Sequence, residues 1–261
     1  MASLAAQRVS PPSLFLAMSE FPRAIAEFGW MTLATPWLMQ APQGDGHPVL
    51  LLPGFMATEV SMRPMQTYLT GLGYQAYHWQ LGRNLGPSAI GPNGERLIKR
   101  LERIFHESGE KVSLVGWSLG GTLARQLSRS RPDMVRQVIS LGSPITGCPK
   151  STTVWRAYEW MTWQRIDDPN IQAQLAESQF VPPVPATAIW SRQDGIVPWE
   201  NSQEPQGPHS DNIEVNGSHC GLGHNPAVLW AVADRLAQAD GEWQPFERKG
   251  WRWMVYPSAG H

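Results

Sequence analysis

The period of the apolar positions changes several times along the chain, and each change marks an element. Phe21, Ile25, Phe28 and Leu33 fall at near-helical spacing within residues 13 to 40, with Pro22 near one end and Pro36 near the other, and predict an N-terminal helix that caps the fold. The segment Pro48-Val49-Leu50-Leu51-Leu52-Pro53-Gly54-Phe55 is an unbroken apolar run ending in Pro-Gly, the form of a strand buried on both faces of a parallel sheet. Met62, Met65, Leu69 and Leu72 recur at steps of three and four, a helix that runs out near Gly71 and Gly73 and leads into an aromatic strand, Tyr74 to Trp79. After a Gly- and Pro-rich loop from Gly82 to Gly94, Leu97, Leu101, Ile104 and Phe105 mark an amphipathic helix, and Val112 to Val115 a strand. A helix from Leu119 to Ser130, closed by Pro132, and strands at Val135 to Leu141, Ala186 to Trp190 and Ile213 to Val215 complete the series.

This alternation predicts the α/β class: a doubly wound, mostly parallel sheet with helices on both faces, whose ligands bind outside the carboxyl ends of the strands. Residues 150 to 182 break the rhythm with a long helix-like stretch rich in Trp, and read as a helical cap insertion. No shift in composition divides the 261 residues, so a single domain with an N-terminal helix and a cap is expected.

Composition removes several function classes. With 21 Lys and Arg against 22 Asp and Glu, the chain has no bulk charge with which to hold nucleic acid or an acidic membrane. No run approaches the roughly 18 apolar residues of a membrane span. The apolar run Leu14 to Met18 is too short for a secretory core, so a cytoplasmic location is expected. Cys148 and Cys220 are too few for a disulfide framework and lack the spacing of a zinc site, and read as free thiols.

The chemistry lies just past the strands. Gly116-Trp117-Ser118-Leu119-Gly120 fits G-x-S-x-G between a buried strand and a helix, a turn so tight that the positions flanking the serine cannot carry side chains. A serine hydroxyl is a weak nucleophile and needs a base that is itself oriented by a third group. His219 lies beyond the strand Ile213 to Val215 and is the expected base; His224 reads as a capping or supporting residue, and His209 and His261 as solvated. Asp194 directly follows Ala186 to Trp190 and is the expected acid, whereas Asp133 ends a helix and Asp167 and Asp168 fall in the cap. Negative charge on a tetrahedral intermediate needs backbone N–H donors already in place. Position selects those of Leu119 and Phe55, with Met56 the alternative if the first loop turns one residue later.

These residues resemble the lipase- and esterase-like members of the α/β-hydrolase superfamily over about residues 47 to 238, most specifically in Gly116 to Gly121 and also in Asp194-Gly195 and Gly217-Ser218-His219. The resemblance implies a triad of Ser118, Asp194 and His219, a cap over the site, and neither metal nor organic cofactor. The chain departs from many relatives in having Pro53-Gly54 where they have His-Gly, which blurs the substrate. Trp155, Trp160, Met161 and Trp163 in the cap, with Met56 and Trp117 beside the serine, are expected either to line an apolar acyl pocket or to pack as core. The expected activity is hydrolysis of a small-molecule or lipid-like ester. Acyl transfer to another acceptor, C–C bond hydrolysis and a non-catalytic lipid-binding module are the alternatives. The aromatic tail Trp243 to Tyr256 has no role assignable from sequence.

Overall fold

The structure, a computed structural model, describes residues 9–147, 149–162, 168 and 179–257. Six parallel strands form one sheet in the order β2-β1-β3-β4-β5-β6, with β1 at Pro48–Leu52, β2 at Gln75–His78, β3 at Val112–Trp117, β4 at Val135–Leu141, β5 at Ala186–Trp190 and β6 at Ser210–Glu214. Side chains alternate between the two faces, as a pleated strand requires. Val49, Leu51, Val115, Ile139 and Ile189 pack beneath helix α2 (Arg63–Gly71) and helix α7 (Pro226–Leu236). Leu50, Leu52, Leu114, Val135 and Val138 pack on the other face against α4 (Glu95–Ser108) and α5 (Leu119–Ser130). Helices α3 (Pro87–Ile90) and α6 (Trp155–Thr162) lie in the connections. The doubly wound parallel architecture is thus the one the alternation predicts, with β6 starting at Ser210 rather than Ile213.

Helix α1 (Leu14–Leu38) is present but turned inside out. Ser13 caps it by accepting from the Leu16 N–H, and it runs through both Pro22 and Pro36, whose exposed positions leave the unpaired carbonyls to solvent. Its 25 residues span about 37 Å. Of the apolar residues that announce it, Phe21, Ile25 and Leu33 face away from the protein, each 73–75% exposed, while Phe28, 48% exposed, packs edge-on against the His224 ring. The inward face carries Glu20, Arg23, Ala24 and Glu27, which hold loops of the sheet. Polar contacts, not apolar burial, dock the first half of this helix.

The tail acquires a role. Trp251 stacks edge-on against Trp37 of α1 and Trp230 of α7, and buried Tyr256 donates its hydroxyl to the Ala227 carbonyl. Residues 246 to 256, including α8 (Arg252–Val255), therefore cover the seam between α1 and α7. Among the described residues, no helix is long and apolar enough to cross a membrane.

Candidate active site

Ser118 stands where β3 turns into α5, with φ 54° and ψ −123°, a conformation that strains any residue with a side chain. Sterics hold it there. A Cβ on Gly116 would lie 2.4 Å from the Gly120 carbonyl carbon, and one on Gly120 would lie 2.3 Å from the Leu52 oxygen. Only glycine allows strand, bend and helix to approach this closely, and the bend lifts Ser118 above the sheet's carboxyl edge at the start of α5.

Asp194 and His219 meet on the same edge. His219 Nδ1 and Asp194 Oδ2 are 2.6 Å apart and both residues are buried. Asp194 Oδ1 accepts the N–H groups of Ile196 (2.8 Å) and Val197 (2.7 Å), so each carboxylate oxygen is occupied and the acid cannot swing away. Burial alone would favour a neutral imidazole, but the charge and hydrogen bond of Asp194, with the charge of Glu20, raise the pKa of His219 above its ordinary value. Ser118 and His219 form no hydrogen bond with each other among the described residues. The Trp117 indole nitrogen donates to the His219 carbonyl (3.0 Å) and so brings the imidazole loop to the residue beside the serine.

Sequence reasoning missed the residues that hold this pair. Ser191 Oγ donates to the Gly217 carbonyl and accepts from the N–H groups of Gln193 and Gly217, tying the acid loop to the base loop. Gly142, at φ 54°, leaves room for both, since a Cβ there would lie 3.0 Å from Asp194 Oδ2 and 3.2 Å from His219 Nδ1. Glu20 accepts from Gly195 N–H (2.7 Å) and Cys220 N–H (2.8 Å), and Glu27 accepts from Ser218 N–H (2.7 Å). Nothing local to either loop signals these partners, because they come from a helix about 175 to 200 residues away in the chain. His224 also reaches α1, through the Ala24 carbonyl, while the residue that caps α7 is Asn225.

The loop after β1 is organised by buried Asn84, which donates from Nδ2 to the Pro53 carbonyl, while its own carbonyl accepts the Met56 N–H. The Met56 N–H is thus already engaged within the protein. The N–H groups of Phe55 and Leu119 have no acceptor among the described residues, and a Cβ on Gly54 would lie 3.3 Å from Ser118 Cβ, so this loop abuts the serine.

A cavity of about 540 Å³ lies between α3, α4 and α5, bounded by Ile90, Leu97, Leu119, Leu123 and Tyr158. It meets the elbow at Leu119. Met56, Trp117 and Trp155 do not line it: Trp117 supports the histidine loop, and Trp155 lies under Lys150 and Arg156. The Trp160 and Met161 side chains, with Trp163, Asp167, Cys148 and His261, fall outside the described residues. Cys220 is a free thiol whose pKa burial and Glu20 push up to about 12. His209 is exposed and its ring packs on Trp243. Among the described residues, no group of three His, Cys, Asp or Glu could hold a metal ion.

A second serine, histidine and acid are also in line. His47 Nε2 is 2.8 Å from Ser113 Oγ, and His47 Nδ1 is 2.5 Å from Asp45 Oδ1. This array sits at the amino ends of β1 and β3, with Ser113 and His47 fully buried. Arg136 donates to the other Asp45 oxygen, and no substrate can reach the serine.

Parallel sheet order, elbow after β3, acid after β5 and histidine after β6 together define the α/β-hydrolase fold. No protein-family model matches the chain. Its structure is similar to that of Paleococcus ferrophilus monoacylglycerol lipase (TM-score 0.53, 17% identity, covering 74% of this chain and 96% of that one). It is also similar to a Bacillus licheniformis lipase (0.54, 17%, 77% and 95%) and to alpha/beta hydrolase domain-containing protein 10 from mouse (0.51, 18%, 76% and 92%).

Proposed function

We propose that the protein is a serine hydrolase of carboxylic esters. Ser118 Oγ attacks the acyl carbon while His219 Nε2 takes its proton; the alkoxide leaves with that proton, and the acyl group stays on Ser118. Water, deprotonated by His219, then attacks the acyl-enzyme and releases the acid and the serine. Asp194 holds Nδ1–H and stabilises the imidazolium, and the free N–H groups of Phe55 and Leu119 receive the oxyanion. The serine–histidine hydrogen bond, absent here, forms as substrate binds, a common sequence of events in such sites.

The observation that carries this reading is the joint placement of a strained serine and a buried Asp–His pair at one edge of a parallel sheet. Structural neighbours described as lipases support an ester substrate. The cavity beginning at Leu119 has the size of a small-ligand site, and its mixed lining sets Ile90, Leu97, Leu119 and Leu123, which suit an acyl chain, beside polar residues such as Asn93, Thr122 and Gln126. A fluorophosphonate probe is expected to label Ser118, located by peptide mass, and to leave Ser118→Ala unlabelled. No labelling of the unmodified protein would reject the reading and favour a lipid-binding module. Product analysis with added alcohol separates hydrolysis from acyl transfer.

A further inference from the structure

We propose that Glu20 is a positioning residue for the acid and the base, acting from outside the sheet through the backbone that follows each of them. The inference rests on the serine-hydrolase reading above. Glu20 is 2% exposed, and its two oxygens divide between the loops: Oε1 takes the N–H of Gly195, next to Asp194, and Oε2 takes the N–H of Cys220, next to His219. One rigid carboxylate therefore fixes the distance between the two chain segments whose side chains must meet at 2.6 Å. Arg23 completes the clamp, donating to Glu20 Oε1 (2.9 Å) and to the Gln193 carbonyl (2.8 Å).

A carboxylate is the side chain suited to this task, because two acceptor oxygens face two donors. An amide would turn its NH₂ against one of them. The ionisable groups around the imidazole are Asp194, Glu20, Arg23 and Glu27 from the facing segments, and Cys220 and His224 on its own loop. Of these, Glu20 adds to Asp194 in favouring the imidazolium. Bonds and charge can be tested separately.

In Glu20→Gln, kcat is expected to fall about 10²-fold, the cost of a misplacement of about 1 Å in a catalytic pair, with KM within about twofold by the same argument that only the pair moves. The acid limb of the pH–rate profile and the NMR titration of His219 both move to lower pH. Glu20→Asp keeps the charge on a shorter arm, so kcat falls while the imidazole titration stays near that of the unmodified protein. A kcat within twofold in both variants, or an unmoved His219 titration in Glu20→Gln, overturns the proposal. Amide hydrogen exchange in the unmodified protein gives a reading free of any folding defect: Gly195 and Cys220 are expected to be protected, and exchange at the rate of exposed loops overturns it. Fluorophosphonate labelling of Ser118 reports on the hydrolase reading alone. The imidazole titration and amide exchange report on Glu20 alone.

Discussion

Two serine–histidine–aspartate arrays occupy opposite ends of the same sheet, and the more completely hydrogen-bonded one is the one sealed from substrate. Ser113, His47 and Asp45 form an unbroken chain of contacts at the amino ends of β1 and β3. Ser118, His219 and Asp194, at the carboxyl ends, share only the His–Asp contact. The electrostatics divide them. Burial dominates at His47 and lowers its pKa, favouring the neutral ring, whereas at His219 the charges of Asp194 and Glu20 outweigh burial and raise it. A base must accept a proton during reaction, so a site that stabilises imidazolium suits catalysis, and one that opposes it suits a fixed structural bond. The two arrays differ in strand end, in access and in the charge around the ring, not in hydrogen-bond completeness alone.

Paired substitutions sharpen this contrast. Ser118→Ala is expected to lower turnover of a nitrophenyl ester by on the order of 10⁴ or more, whereas Ser113→Ala leaves it within about twofold, since a buried structural serine contributes nothing to the transition state. Equal losses in the two variants would break the comparison. Asp194→Asn should cost on the order of 10⁴ in kcat by favouring the wrong imidazole tautomer, with Asp45→Asn again near the unmodified rate.

In stability the order reverses. Ser113→Ala leaves the His47 ring nitrogen without its buried partner, and a loss of about 1–3 kcal/mol is expected in chemical denaturation. Ser118→Ala, which breaks no hydrogen bond to His219, should lie within about 0.5 kcal/mol.

The two histidines also pull the pH dependence of stability in opposite directions. The folded pKa of His47 lies below its unfolded value, so its contribution is present above the ordinary histidine range and is lost as pH falls through it. Burial opposes ionisation of Asp45, but the bonds from His47 and Arg136 prevail and hold it at about 2, so its share is lost at still lower pH. The folded pKa of His219 is raised, so its contribution is present below the unfolded value and is lost as pH rises through the folded one. Replacing His47 with Gln is expected to flatten the acid side of a stability–pH curve, and His219→Gln the side above neutrality. The smallest effect belongs to the outer face of α1: Phe21→Gln is expected to change stability by no more than about 0.5 kcal/mol, because its ring touches solvent.

Much of this molecule was legible without coordinates wherever the cause was local. The elbow could be read because Gly116 and Gly120 answer to a steric demand within five residues, and the parallel sheet because strands buried on both faces must be apolar without interruption. That Asp194 and His219 lie on the same edge of the sheet was legible by position, each following a strand. The apolar spacing in α1 announced a helix correctly but said nothing true about which face turns inward, since its docking rests on carboxylates meeting backbone N–H groups that no periodicity records. Tertiary structure alone decided that Glu20, Ser191 and Gly142 meet the loops of Asp194 and His219, that Trp117 donates to the His219 carbonyl, and that Ser113 and His47 are sealed off. Short-range sterics and burial are written in neighbouring residues. Hydrogen bonds and fields between segments nearly 200 residues apart come into being only when the chain has folded.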